Sequence, residues 1–113
     1  MSGTIWTDIP TTTRVAAVVR RPTHTMGLEN AGGSTLVHCT VHTPWTRSVA
    51  ASVRRDIDRI TEMHGGPLFT VKADTDPRSV KTHAKFCRLN GFEFHKTILC
   101  TDGVERPVYI RWR

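Results

Sequence analysis

The sequence lacks any long apolar run. None of its hydrophobic stretches approaches the ~20 residues that a helix needs to cross a bilayer. The N-terminus, from Met1 to Trp6, has neither the basic flank nor the apolar stretch of a signal peptide. We therefore expect a protein that is not secreted and makes no membrane contact, with the cytoplasm as its location.

Cysteine is scarce and is not arranged in pairs. Cys39, Cys87 and Cys100 are odd in number, lie far apart and form no C-x-x-C motif, which predicts reduced thiols. The run His38-Cys39-x-x-His42 resembles a metal motif. In a strand, however, the two histidines would lie about 13 Å apart, at ~3.3 Å per residue, with the cysteine on the opposite face. We predict no metal site.

Acidic residues are too few to balance the basic ones. Sixteen Lys and Arg against ten Asp and Glu give a formal charge of +6. The basic residues are scattered and do not alternate with stacking aromatics. A nucleic-acid-binding function through this charge is therefore kept only as an alternative.

The remaining composition is that of one globular domain. With 113 residues, 38% of them hydrophobic, the chain has room for a single core. Residues 1–13 are rich in Thr and are predicted to form an extended arm, which Ile5 and Trp6 would anchor against the body or a neighbouring chain. Residues 14–113 are predicted to form the domain.

Two helices separate short strands in the predicted order β-β-α-β-α-β-β. In the first helix, Val49, Val53, Ile57 and Ile60 recur on one face. The opposite face, which includes Asp56 and Asp58, is expected to be solvated. The predicted strands cover residues 14–20, 35–41, 68–73, 92–99 and 107–112, with a loop over 23–34.

The helix ends carry recognisable signals. Thr43 followed by Pro44 is one candidate start for the first helix, with Thr46 or Ser48 as alternative caps. Asp76-Pro77 is expected to start the second helix, which should stop at Gly91. The sequence thus predicts an α/β or α+β fold: a mostly antiparallel sheet of five or six strands with one parallel β-α-β step.

The segment Asp76-Pro77-Arg78-Ser79 … His83-Ala84-Lys85-Phe86-Cys87-Arg88-Leu89-Asn90-Gly91-Phe92 resembles the late helix of the GNAT acetyltransferases, most closely the short GNAT-like proteins of tailed bacteriophages. The resemblance implies acetyl-CoA as a cofactor, with its pyrophosphate held by backbone N–H groups at the start of the first long helix. The corresponding stretch 42–48 has no glycine, and Pro44 lacks an N–H group. Thr46, Arg47 and Ser48 remain as candidate cofactor contacts.

The resemblance also predicts where a catalytic acid would lie. The family often places a Tyr five residues before the Phe of the Gly-Phe pair, and this position is Cys87 here. Cys87 is thus the catalytic candidate if the chain is an enzyme, although a small core residue is the simpler interpretation. His83 is interpreted as a helix-face residue and Tyr109 as packing. The family's front helices have no counterpart before Arg14, so an enzyme of this kind would need another subunit to complete its pocket.

These departures favour a non-catalytic GNAT-like bacteriophage protein that binds other proteins in the virion or during its assembly. Phage structural proteins or a second copy of the chain would be its partners, in the virion or the host cytoplasm. The expected partner surface includes Ile5, Trp6, Trp45 and Trp112. One alternative is an acetyl-CoA-dependent N-acyltransferase. A second alternative is a basic nucleic-acid-binding or host-inhibiting phage protein.

Overall fold

A computed structural model describes residues 15–72 and 74–113, so the predicted arm and its anchors Ile5 and Trp6 lie outside the described residues. Six strands and two helices follow one another in the described part. Their bounds are β1 (Val15–Arg20), β2 (His24–Ala31), β3 (Ser34–Val41), α1 (Arg47–His64), β4 (Leu68–Val71), α2 (Pro77–Leu89), β5 (Glu93–Leu99) and β6 (Glu105–Arg111).

One strand, β2, was not predicted. The loop predicted over 23–34 is instead a strand that pairs with β3 along its whole length, from His24 opposite Val41 to Ala31 opposite Ser34. The turn is confined to Gly32 and Gly33, both with positive φ, as a two-residue type I′ hairpin requires. Gly27 lies buried within the strand, where a residue without a side chain does not interrupt the pairing.

The strands form one sheet in the order β1-β2-β3-β4-β6-β5. Only β3 and β4 are parallel, and every other neighbouring pair in this sheet is antiparallel. The crossover that a parallel pair needs is supplied by α1. The prediction of a mostly antiparallel mixed sheet with two helices is confirmed.

Both helices pack against the same face of the sheet. The apolar stripe of α1 and two residues of α2, Phe86 and Cys87, form a single core cluster with residues of β2, β3 and β4. The members of this cluster are Met26, Val37, Cys39, Val49, Val53, Ile57, Ile60, Leu68, Phe86, Cys87 and Phe92. Burying this stripe accounts for the helical periodicity of the sequence. Neither helix of the described residues is long and apolar enough to cross a membrane.

Arg111 links α1 to the end of α2. Its guanidinium, 9% exposed, binds Asp58 of α1 at 2.7 Å and donates to the carbonyl oxygen of Asn90, the residue after α2, at 3.1 Å. Gly91 lies directly beside it, with φ at +79°, so a Cβ there would come within 3.4 Å of the guanidinium. The positive φ is therefore the main reason for a glycine at this position, just after α2.

Candidate active site

The parallel strands β3 and β4 are in register at a single pair, Leu36 with Phe69. One position further along, Thr70 on β4 approaches the Val37 carbonyl oxygen with its side-chain Oγ1, at 3.4 Å. No later pair joins the two strands among the described residues, so the backbone ladder between them is short. The carboxyl ends of parallel strands are where open α/β sheets bind ligands.

The amino end of α1 follows the carboxyl end of β3. Thr46 caps the helix and accepts a hydrogen bond from the Val49 N–H at 3.2 Å. Within residues 15–72 and 74–113, the N–H groups of Arg47 and Ser48 have no acceptor. The first turn also contains no acidic residue, and the Arg47 side chain is exposed. Two free N–H groups, the helix dipole and a guanidinium together suit a phosphate group.

Pro44 does not weaken this helix end in the way the sequence suggested. Because α1 begins at Arg47, Pro44 lies before the capping residue and removes none of the first-turn donors. Trp45 turns its ring onto Phe86 of α2, with the ring centres 6.1 Å apart, and stays 45% exposed. Of the three alternative caps for this helix, Thr46 is the one used.

A buried cluster of side chains lies between Thr70 of β4 and helix α2. His83 of α2, only 1% exposed, has Nε2 at 3.4 Å from Thr70 Oγ1 and at 3.6 Å from the Cys87 sulfur. The Tyr109 ring meets the His83 ring edge-on, at 5.5 Å between centres. His83 thus lies on the face of α2 that packs onto the sheet, and whether it acts as a base is not tested by this geometry.

Burial sets the charge state of this cluster. It lowers the pKa of His83 to about 4, with a smaller contribution from the nearby positive charge of Lys72. It raises the pKa of the Cys87 thiol to about 12. Both groups are thus neutral near pH 7, so Cys87 holds its proton and is not a thiolate nucleophile.

A second polar cluster lies between α1 and the start of β2. Asp56, 3% exposed, accepts hydrogen bonds from Arg21 at 2.8 Å and from His24 at 2.7 Å. The other ring nitrogen of His24 lies 2.8 Å from the Thr23 hydroxyl. The prediction that Asp56 lies on a solvated face is wrong, because Arg21 and His24 compensate the burial of its charge. The pKa of Asp56 is lowered, first by the hydrogen bond from Arg21.

The other predicted site residues are dispersed. Trp112 is 57% exposed and its indole N–H donates to Glu93 at 3.1 Å, while Trp45 packs on Phe86. Whether either tryptophan meets a partner stays a prediction. His38 and His42 bind different residues, Glu29 and Thr25. In the described part of the chain, no three His, Cys, Asp or Glu side chains are grouped to hold a metal ion.

Three solved structures of the aminoglycoside acetyltransferase AAC(6')-Ib share this architecture. The complex with paromomycin and acetyl-CoA superposes with a TM-score of 0.61 at 12% identity, over 88% of this chain and 63% of that one. The complex with ribostamycin and coenzyme A superposes with a TM-score of 0.60 at 13% identity, over 88% of this chain and 62% of that one. The complex with coenzyme A and kanamycin superposes with a TM-score of 0.53 at 10% identity, over 80% of this chain and 67% of that one.

The fold is GNAT-like. At these identities the likeness concerns the fold, and the chain spans a little under two thirds of the length of the first two acetyltransferase structures. No protein-family model and no curated protein matches the sequence.

The prediction of a non-catalytic bacteriophage protein is wrong as a first choice. The solved structures that share the fold are acetyltransferases in complex with acetyl-CoA or coenzyme A, and they favour the alternative, an acyltransferase. That prediction gave too much importance to the missing glycines and to Pro44. Pro44 lies outside α1, and the helix keeps two free donors without it.

Proposed function

We propose that this chain is an acetyl-CoA-dependent N-acyltransferase. The observation that carries the proposal is a helix end with free donors, directly after the parallel strand β3 of a GNAT-like sheet. Acetyl-CoA is a polyanion that carries an acyl thioester. It therefore requires an anion site at one end and a cleft that leads to the reacting carbon.

The helix end fits the phosphates of such a cofactor. The N–H groups of Arg47 and Ser48 would hold a phosphate oxygen, and the Arg47 guanidinium would add a charge-assisted contact. The loop still lacks glycine, so we assign the contact to the first turn of α1 rather than to the loop before it. When bound, the cofactor supplies an activated acyl group for transfer to an amine.

Cys87 stands where the resemblance would place a general acid, but its chemistry does not suit that role. It is fully buried, and its pKa of about 12 lies far above the neutral range in which a general acid is effective. The neutral imidazole of His83, 3.6 Å away, holds the thiol in position without converting it to a thiolate. We therefore assign Cys87 a packing role and no proton transfer in the proposed enzyme.

Titration calorimetry with acetyl-CoA tests the anion site through three variants. Arg47→Ala removes the guanidinium alone and should weaken binding by about 1.5 kcal/mol, roughly tenfold in Kd. Arg47→Pro also removes the N–H, in the first helical position where proline is tolerated, after a Thr46 whose ψ of 170° suits a following proline. It should therefore bind more weakly than Arg47→Ala.

Arg55→Ala provides the matched control. Arg55 lies on the exposed face of the same helix, so this variant makes the same change in charge away from the first turn. Its affinity should equal that of the wild type. If wild-type protein does not respond to millimolar acetyl-CoA, and releases no thiol from it in the presence of primary amines such as kanamycin, the proposed function is wrong.

A further inference from the structure

The cluster Thr23–His24–Asp56 has a geometry that the proposed function does not use. It is a continuous hydrogen-bonded chain from a partly exposed hydroxyl to a buried carboxylate, with distances of 2.8 Å and 2.7 Å. His24 is fully buried and Asp56 is 3% exposed, whereas Thr23 is only half-buried. The hydroxyl is thus the end of the chain that solvent, or a substrate, can reach.

The protonation pattern follows from the buried end. Arg21 binds both carboxylate oxygens and keeps Asp56 ionised, and an ionised carboxylate only accepts hydrogen bonds. The His24 Nε2 therefore carries a proton and donates a hydrogen bond to Asp56. In the neutral imidazole the other nitrogen, Nδ1, must then be an acceptor, which takes the hydrogen bond from the Thr23 hydroxyl.

We propose that Thr23 is a nucleophile, with His24 as its general base, that accepts an acyl group from a thioester or an activated ester. A hydroxyl, a base and a carboxylate that orients the base are the parts of an acyl-transfer triad, which is recognised by geometry and not by order in the sequence. Asp56 and Arg21 are positioning residues: the first fixes the tautomer of His24 and the second fixes Asp56.

The reaction balances within these groups. The Thr23 oxygen bonds to the acyl carbon while its proton passes to His24 Nδ1. The bond from that carbon to the leaving sulfur or oxygen then breaks, and the leaving atom takes the proton back from His24. The product is an O-acylated threonine with the imidazole restored to its neutral form.

The place of Thr23 in the fold supports this role. Its carbonyl oxygen accepts a hydrogen bond from the His42 N–H at 2.8 Å, and His42 is the first residue after β3. The hydroxyl therefore lies at the carboxyl end of β3, the same end of the sheet from which the chain runs into α1. The Arg21 Nη1 group is not used by Asp56 and lies on a 45% exposed side chain in the same turn. It is available to a developing oxyanion.

Acylation by p-nitrophenyl acetate tests the proposal without the coenzyme site. Wild-type protein should gain one acetyl group, assigned to Thr23 by peptide mass spectrometry. Thr23→Ser should keep the reaction and Thr23→Val should lose it. His24→Gln, which retains a polar side chain but removes the base, should slow acylation by about 10²-fold. Thr97→Val, at an exposed threonine of β5, should behave as wild type.

Two results would overturn the proposal: acetyl groups found only at other residues of the wild type, or equal acylation rates for His24→Gln and wild type. Mapping on wild-type protein needs no variant to fold, and thermal melts will show whether Thr23→Val is folded. The outcome is separable from the proposed function. A protein that binds acetyl-CoA but leaves Thr23 unmodified sinks only this inference, and an acylated Thr23 without coenzyme binding sinks only the other.

Discussion

Mild acid should destabilise this protein through the protonation of His83. Its pKa is about 4 in the folded state, because of burial, against an ordinary value of 6.5. Between these values the unfolded chain binds more protons than the folded one, so the free energy of unfolding rises with pH across this window. The contribution is fully present above about pH 6.5 and is lost as the pH falls toward 4.

The size of the effect follows from the two pKa values. The gap between about 4 and 6.5 corresponds to about 3 kcal/mol over the whole window, at about 1.4 kcal/mol per pH unit. Lowering the pH from 7 to 5 should remove about 2 kcal/mol of this. That is a large part of the roughly 5–15 kcal/mol by which a small domain is typically stable.

Urea unfolding of wild type and His83→Gln at several pH values measures this contribution directly. Glutamine does not titrate in this range, so the stability of His83→Gln should fall by about 2 kcal/mol less than that of the wild type between pH 7 and 5. His95→Gln removes an exposed histidine and should keep the wild-type slope. Parallel curves for wild type and His83→Gln would refute the buried, neutral state of His83.

Two further predictions concern local conformation. Thr46→Ala should cost about 1 kcal/mol of unfolding free energy, because the Val49 N–H loses its cap. Thr43→Ala should cost little. If urea melts show a larger loss for Thr43→Ala than for Thr46→Ala, the assigned start of α1 is contradicted. Gly91→Ala should cost about 1–2 kcal/mol, since φ is +79° and a residue with a Cβ is strained in that conformation. Gly66→Ala, where φ is not positive and the nearest atom is 3.7 Å away, is its control in the same melts, and equal losses would argue against strain at Gly91.

Local patterns were sufficient for most of the secondary structure. The stripe from Val49 to Ile60 predicted α1, and the Asp76-Pro77 start predicted α2. The parallel step followed from the order of the elements. Strand β2 was missed because Gly27, Gly32 and Gly33 are all typical of turns, although only the last two form the turn.

The candidate sites depended on distant pairs. Asp56 is 32 residues from His24 and 35 from Arg21, so no local spacing could signal that they meet. For the same reason the prediction of a solvated Asp56 was reasonable and wrong. If β2 had been recognised, Arg21 and His24 close to its start would have indicated that a carboxylate binds there.

By itself the sequence determined where the chain is helical, where α2 starts, and that one strand pair is parallel, because periodicity, caps and crossover order act over a few residues or one connection. Only the tertiary structure decided which of the candidate caps starts α1 and which polar residues are buried together. Those features depend on which faces of α1 and α2 meet the sheet. That choice is made by the packing of the whole core.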